Sequence, residues 1–192
     1  VDDRRGSEEI ARLKGDLRMV RFIARAIRTR QRPLREDLRI GHGLQWLHVT
    51  VEKSVEIVTE ARRRFRTHNA GRKFVETEFF QSLALSGRES LDPEGLAERL
   101  RGDLRVREAL EWMWPVLTPA QLLNDCLGSH ALIHAADPKL TDLEVDALYR
   151  PRLKIAEDVR WTASDAALLD EARAALGARP GRRDTEAVRT YG

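Results

Sequence analysis

The feature that most constrains this chain is the helical spacing of its apolar residues. Between Glu8 and Arg30 they fall at Ile10, Leu13, Leu17, Val20, Ile23, Ala24 and Ile27, steps of three and four that place one stripe along a helix. Ser7 is the expected N-cap, Glu8 and Glu9 suit the positive end of the helix dipole, and Pro33 closes the segment. Gly15 weakens the middle and marks a candidate bend. The helical pattern then breaks. Leu38 and Ile40 alternate with charge, Gly41-His42-Gly43 reads as a turn, and residues 45–49 carry β-formers, so a short hairpin is expected near 38–49.

Start signals recur along the rest of the chain. Thr50 is expected to cap a helix carrying Val51, Val55, Val58, Ala61 and Phe65, and a second helix follows with Phe74, Val75, Phe79 and Leu83 on its apolar side. Asp92-Pro93, Gly102-Asp103 and Thr118-Pro119 each pair a capping side chain or proline with a following apolar pattern. Thr141-Asp142-Leu143-Glu144 reads as a capping box, Thr162–Asp165 opens the last helix, and Gly177 suits the position just after it. The expected fold is mainly α, a multi-helix domain of about eight helices with one short β-hairpin.

Charged residues make up 34% of the chain, so the surface must be strongly solvated. The net charge of +3 is distributed unevenly. Arg12, Lys14, Arg18, Arg21, Arg25, Arg28, Arg30, Arg32 and Arg35 face one acid, Asp16, within residues 12–35, and a second cluster holds Arg62, Arg63, Arg64, Arg66, Arg72 and Lys73. Such patches meet phosphate, an acidic protein surface or only solvent, and the sequence leaves these open. The single cysteine, Cys126, excludes an internal disulfide and fits a reducing cytoplasm. No apolar run approaches the ~20 residues of a membrane span, so no membrane partner is expected. The first residues carry neither an initiator Met nor an apolar signal core, and both ends read as cut.

No complete catalytic constellation emerges. Ala167-Leu168-Leu169-Asp170-Glu171-Ala172 imitates the acidic motif of nucleotide hydrolases, but that motif needs a buried strand, and the surrounding signals spell helix. There is no Gly-Lys-Ser/Thr loop to cradle phosphates. Cys126, His130 and His134 stand at steps of four, with Asp137 nearby, and would share a face of a continuous helix suited to zinc. Gly128-Ser129 interrupts that helix, so a buried Cys beside packing or capping histidines is the expected reading. The sequence therefore assigns no catalytic, cofactor-binding or metal residue to this chain.

Several stretches resemble the HelD family, superfamily 1 (UvrD/Rep-like) helicase-like ATPases associated with bacterial RNA polymerase. They are Leu13-Lys14-Gly15 with Met19; Arg25-Ala26-Ile27-Arg28 through Gln31-Arg32-Pro33-Leu34; Thr67-His68-Asn69; and Trp114-Pro115-Val116-Leu117-Thr118-Pro119 with Leu122-Leu123. Trp161-Thr162 and Asp165–Ala172 continue the series, and Thr190-Tyr191-Gly192 resembles what precedes the family's Val-Val-Asp-Glu-Ala-Gln motif.

The resemblance implies that the chain is the family-specific insertion of the first RecA-like motor domain. Residues 1–35 would be a basic helix joining that domain, 36–160 a helical arm, and 161–192 a last helix and return linker. It implies a non-catalytic arm that binds RNA polymerase, opens its clamp and promotes release of nucleic acid for recycling. ATP and Mg would belong to the parent protein, with no cofactor in this fragment. Some family members carry a long acidic loop after the Asp-Glu-Ala helix, whereas residues 177–191 here are short and basic, with Arg179, Arg182, Arg183 and Arg189. Expected partner contacts are Trp46, Leu47 and His48 of the hairpin, with Trp112 and Trp114 as further anchors of which at least one is expected in the core. Arg18, Arg21, Arg25 and Arg28, together with Arg63, Arg64 and Arg66, are candidate contacts to acidic protein, DNA or RNA. The alternative is a nucleic-acid-binding accessory domain of an orthodox superfamily 1 DNA helicase, with steeply salt-dependent binding.

Overall fold

The structure is a computed structural model that describes residues 2–181, with side chains described from Arg4 onward. The tail residues Arg182, Arg183 and Arg189 and the terminal Thr190-Tyr191-Gly192 lie outside the described residues. The fold is mainly α-helical, with ten α-helices and one antiparallel hairpin among the described residues. It divides into two compact units. One joins the chain up to Thr29 with Leu117–Gly177, and the other is built on Arg30–Val116, a single uninterrupted segment between the two halves of the first.

The first unit contains α1 (Asp2–Lys14), α2 (Arg18–Arg28), α7 (Pro119–Leu127), α8 (His130–Ala136), α9 (Asp142–Leu148) and α10 (Ala166–Leu176). The expected single N-terminal helix is in fact two, broken at Gly15-Asp16-Leu17. The break resets the helical phase. Leu17 is 84% exposed and Val20 is exposed, while Met19, Phe22, Ile23, Ala26 and Ile27 are buried. At the break the Asp16 carboxylate accepts from Arg18 N at 2.9 Å, and Lys14 just before it is buried, with its ammonium 2.6 Å from Asp165 Oδ1. Ser7 lies within α1 and donates to Arg4 O rather than capping the helix. The core of this unit packs α2 against α8 and α10, and α10 against α7, through Phe22, Ile23, Leu122, Leu123, Ile133 and Leu168.

The second unit contains β1 (Leu38–His42), β2 (Gln45–Val49), α3 (Val51–Arg64), α4 (Arg72–Ser86), α5 (Pro93–Leu100) and α6 (Leu104–Met113). The hairpin register pairs Ile40 with Leu47, and both point into the core against α4. The turn is not Gly41-His42-Gly43. His42 pairs with Gln45, so the two-residue loop is Gly43-Leu44, and Gly43 takes the φ of +60° that such a loop favours at its first position. Phe79, Leu83, Val106 and Met113 fill the remaining core, with Trp114 at its end.

Most of the predicted caps are present. Thr50 accepts from Lys53 N, Asp92 from Gly95 N, and Asp103 from Arg105 N and Val106 N. Thr118 and Gln121 form a reciprocal box. Thr141 accepts from Glu144 N, but the expected return bond is absent because Glu144 turns to Arg18. Gly177, at φ +74°, ends α10.

Candidate protein-binding surfaces

In the second unit the parity of the hairpin sorts its side chains. Ile40 and Leu47 are fully buried, so Leu47 supports the hairpin from below and is not a surface contact as expected. Arg39, Gly41, Trp46 and His48 share the opposite face, in the cross-strand pairs Arg39–His48 and Gly41–Trp46. The Trp46 indole lies across Gly41, where a Cβ would meet the ring at 3.7 Å, and the Arg39 guanidinium stands 5.2 Å from the ring centroid. Trp46 is still 59% exposed, and Leu44 at the turn is fully exposed. A flat indole and a cation thus occupy one outward face, next to a turn that exposes a leucine.

That face is held from behind. The Ser86 hydroxyl accepts from His48 N at 2.8 Å, and Gln45 Oε1 accepts from Arg88 N at 2.9 Å, tying β2 to the end of α4. Arg105 Nη1 donates to Arg39 O at 3.4 Å. Of the expected hairpin contacts, Trp46 and His48 lie on this exposed face, and Leu44 and Arg39, not singled out from the sequence, are exposed beside them. A two-residue loop placed at Gly43-Leu44 would have shown Leu44 at the tip.

Trp112 and Trp114 both serve the interior. Trp114 is buried, donates to His68 O at 2.7 Å and stacks on the His68 ring. Trp112 donates to Pro33 O and is contacted by the guanidinium groups of Arg32 and Arg35 at 3.6 and 3.7 Å from its ring centroid. Arg32 also bonds to the 112–113 backbone through its own N–H and Nε. Burial, with Arg30 and Arg35 nearby, lowers the Arg32 pKa. The segments by which the chain enters and leaves this unit are therefore pinned to each other.

Beside them, the Arg62 Nε donates to Gln31 Oε1, Gln31 Nε2 approaches His68 Nδ1 at 3.1 Å, and His68 Nε2 approaches Pro115 O at 2.5 Å. This one-way chain of donors requires a neutral His68 protonated on Nε2. Burial pushes the His68 pKa down to about 4.

The second basic cluster is largely committed locally. Arg63 and Arg64 both bond Glu60 at 2.6 Å, which holds that carboxyl down at about 2. Arg72 bonds Glu76, Glu111 and Trp114 O. Arg66 is exposed.

In the first unit the arginine stripe is split. Arg18 turns inward, with Nε 2.8 Å from Asp137 Oδ2 and Nη1 3.2 Å from Glu144 Oε2. The second contact is an ion pair without hydrogen-bond alignment, which leaves the buried Glu144 oxygen with no hydrogen bond. Burial alone would raise the Asp137 pKa, but bonds from Arg18 and Lys139 N outweigh it and hold it low. Arg21, Arg25 and Arg28 stay exposed on α2.

Asp165 is fully buried and receives Lys14, Arg150, Thr162 N and the Thr162 hydroxyl. Here too burial would raise the pKa, and these donors hold it below the usual carboxylate range.

Cys126 is buried in α7, and burial pushes its thiol up to about 12. His130 stacks on Tyr149, and His134 is exposed on α8 beyond the Gly128-Ser129 break. Among the described residues no three His, Cys, Asp or Glu side chains group to hold a metal. Asp170 and Glu171 lie on α10, as the capping signals predicted, and Asp170 pairs with Arg173. Among the described residues no helix is long and apolar enough to cross a membrane. Neither protein-family models nor curated proteins match this chain.

Proposed function

We propose that the chain is the non-catalytic, protein-binding arm of an ATP-dependent helicase-like factor, and that its partner is bacterial RNA polymerase core. In this reading the arm grips the polymerase, holds its clamp open and favours release of nucleic acid, while ATP and Mg act elsewhere in the parent protein. The partner rests on the resemblance to HelD. The observation that carries the binding role is the hairpin, whose outward face exposes Trp46 and Arg39 and whose turn exposes Leu44, while Ile40 and Leu47 anchor it to the core. Trp and Arg are the residue types that concentrate interface energy. Arg32, Arg35 and Trp112 tie the entry and exit segments of the arm to each other, which fits an arm inserted as one continuous segment.

The test is capture of nucleic-acid-free core polymerase by the full chain at low and moderate salt, with duplex and single-stranded DNA offered in parallel. Retention of polymerase with weak DNA binding is the expected result. Tight DNA binding with a steep salt dependence and no polymerase retention would favour the accessory domain of an orthodox DNA helicase instead.

A further inference from the structure

A second surface lies in the first unit and stands independently of the polymerase reading. Leu17, Arg21 and Arg25 border a hollow of about 610 Å³ whose far side is formed by Asp137, Pro138 and Lys139. A neighbouring hollow of about 460 Å³ shares Arg18 and is lined by Ile10, Leu13, Leu143 and Ala147. Leu17 and Leu143 are 84% and 82% exposed, so the apolar content of this surface is open to a partner.

Its charge is one-sided where the hollow faces outward. Asp137 is committed to Arg18 and to Lys139 N, and Glu144 is committed to Arg18. Arg25 Nη1 donates to Ala136 O at 3.3 Å, a contact that satisfies a donor without neutralising the charge. Among the described residues no carboxylate lies within ion-pair distance of Arg21, Arg25 or Lys139. The hollow thus holds four cations, Arg18, Arg21, Arg25 and Lys139, against one carboxylate, Asp137, with Leu17 and Pro138 as its apolar lining.

We propose that this surface docks an acidic amphipathic protein segment. Its carboxylates would meet Arg21, Arg25 and Lys139, and its apolar side chains would lie against Leu17 and Leu143. This is the helix-in-groove mode with charge complementarity at the rim. Nucleic acid is the poorer fit, because the two hollows offer no aromatic ring for base stacking and a phosphate chain would leave Leu17 and Leu143 uncovered. Glu9, Asp16 and Glu144 line the second hollow, so the carboxylates of the segment belong over the first.

The test is fluorescence anisotropy of a labelled amphipathic helical peptide rich in Glu and Leu, titrated with the full chain. Saturable binding is expected, weakened roughly tenfold or more by R21E combined with K139E and also by L17S. A peptide with Gln in place of Glu should bind much more weakly, as should one with Ser in place of Leu. All three substituted residues are surface residues, and circular dichroism verifies that each variant is folded. Absence of saturable binding, or equal binding of the Gln peptide, overturns the proposal. So does displacement of the peptide by a single-stranded oligonucleotide that binds more tightly.

Discussion

Two side chains that carry no charge in the folded protein make the sharpest residue-scale predictions. His68 is depressed to about 4 by burial, while an unfolded histidine titrates near 6.5. As the pH falls, the unfolded state therefore takes up the proton first. The contribution of neutral His68 is complete above about pH 6.5, declines as the pH falls towards about 4, and then levels off. Urea unfolding followed by tryptophan fluorescence should show a loss of about 2 kcal/mol between about pH 7 and about pH 5 that H68Q largely removes. An unchanged pH slope in H68Q would contradict the Gln31–His68–Pro115 network. Cys126, pushed up to about 12 by burial, should resist thiol reagents in the folded protein and react only on unfolding, as measured by timed alkylation and mass spectrometry. Reaction as fast as that of a free thiol would mean that α7 is not packed as described. Burial of Cys126 was legible because a lone cysteine in an apolar helical pattern is most often core. The role of His68 was not, because nothing local indicates that Thr67-His68-Asn69 meets Pro115.

At the scale of elements, the starts of helices were the most legible feature, because a cap is a local device: Thr50, Asp92, Asp103 and Thr118 each reach an amide two or three residues ahead. Thr118→Ala should cost about 1 kcal/mol in chemical denaturation, with Gln121 also losing its role. The place of the break between α1 and α2 was legible at Gly15, but the long-range ion pair of Lys14 beside it was not, because a lysine suggests the surface. Asp165→Asn leaves Lys14 buried and Arg150 without its partner, so it should destabilise the first unit by roughly 3–5 kcal/mol, read from the denaturation midpoint. A loss well under about 1 kcal/mol would show that the Lys14–Asp165–Arg150 cluster does not hold α1 in place. The hairpin shows how one misplaced turn propagates. A turn at Gly41-His42-Gly43 leaves the strand parity undefined, so the sequence alone does not turn Leu47 inward. With the turn at Gly43-Leu44, pairing to Ile40 turns Leu47 inward and leaves Trp46 outward.

For the whole molecule, no composition shift marks the crossings between the two units near Thr29 and Val116. What marks them is tertiary: Arg32, Arg35 and Trp112 closing one unit, and the α2–α10 packing closing the other. The mainly helical class and its single hairpin followed from apolar spacing, capping signals and the β-formers near 45–49. The functional proposal joins this architecture to the resemblance, and it stands on one exposed face of one unit. The most direct measurement is the affinity of the full chain for core RNA polymerase, compared between the natural sequence and the L44S/W46A double variant, with circular dichroism confirming that the variant is folded. Both substitutions leave Ile40 and Leu47 in the core, so the hairpin should persist. The account predicts saturable polymerase binding that weakens by roughly tenfold or more in the variant, as expected for loss of an aromatic anchor. Equal affinity in the two proteins, or no polymerase binding by either, would contradict it.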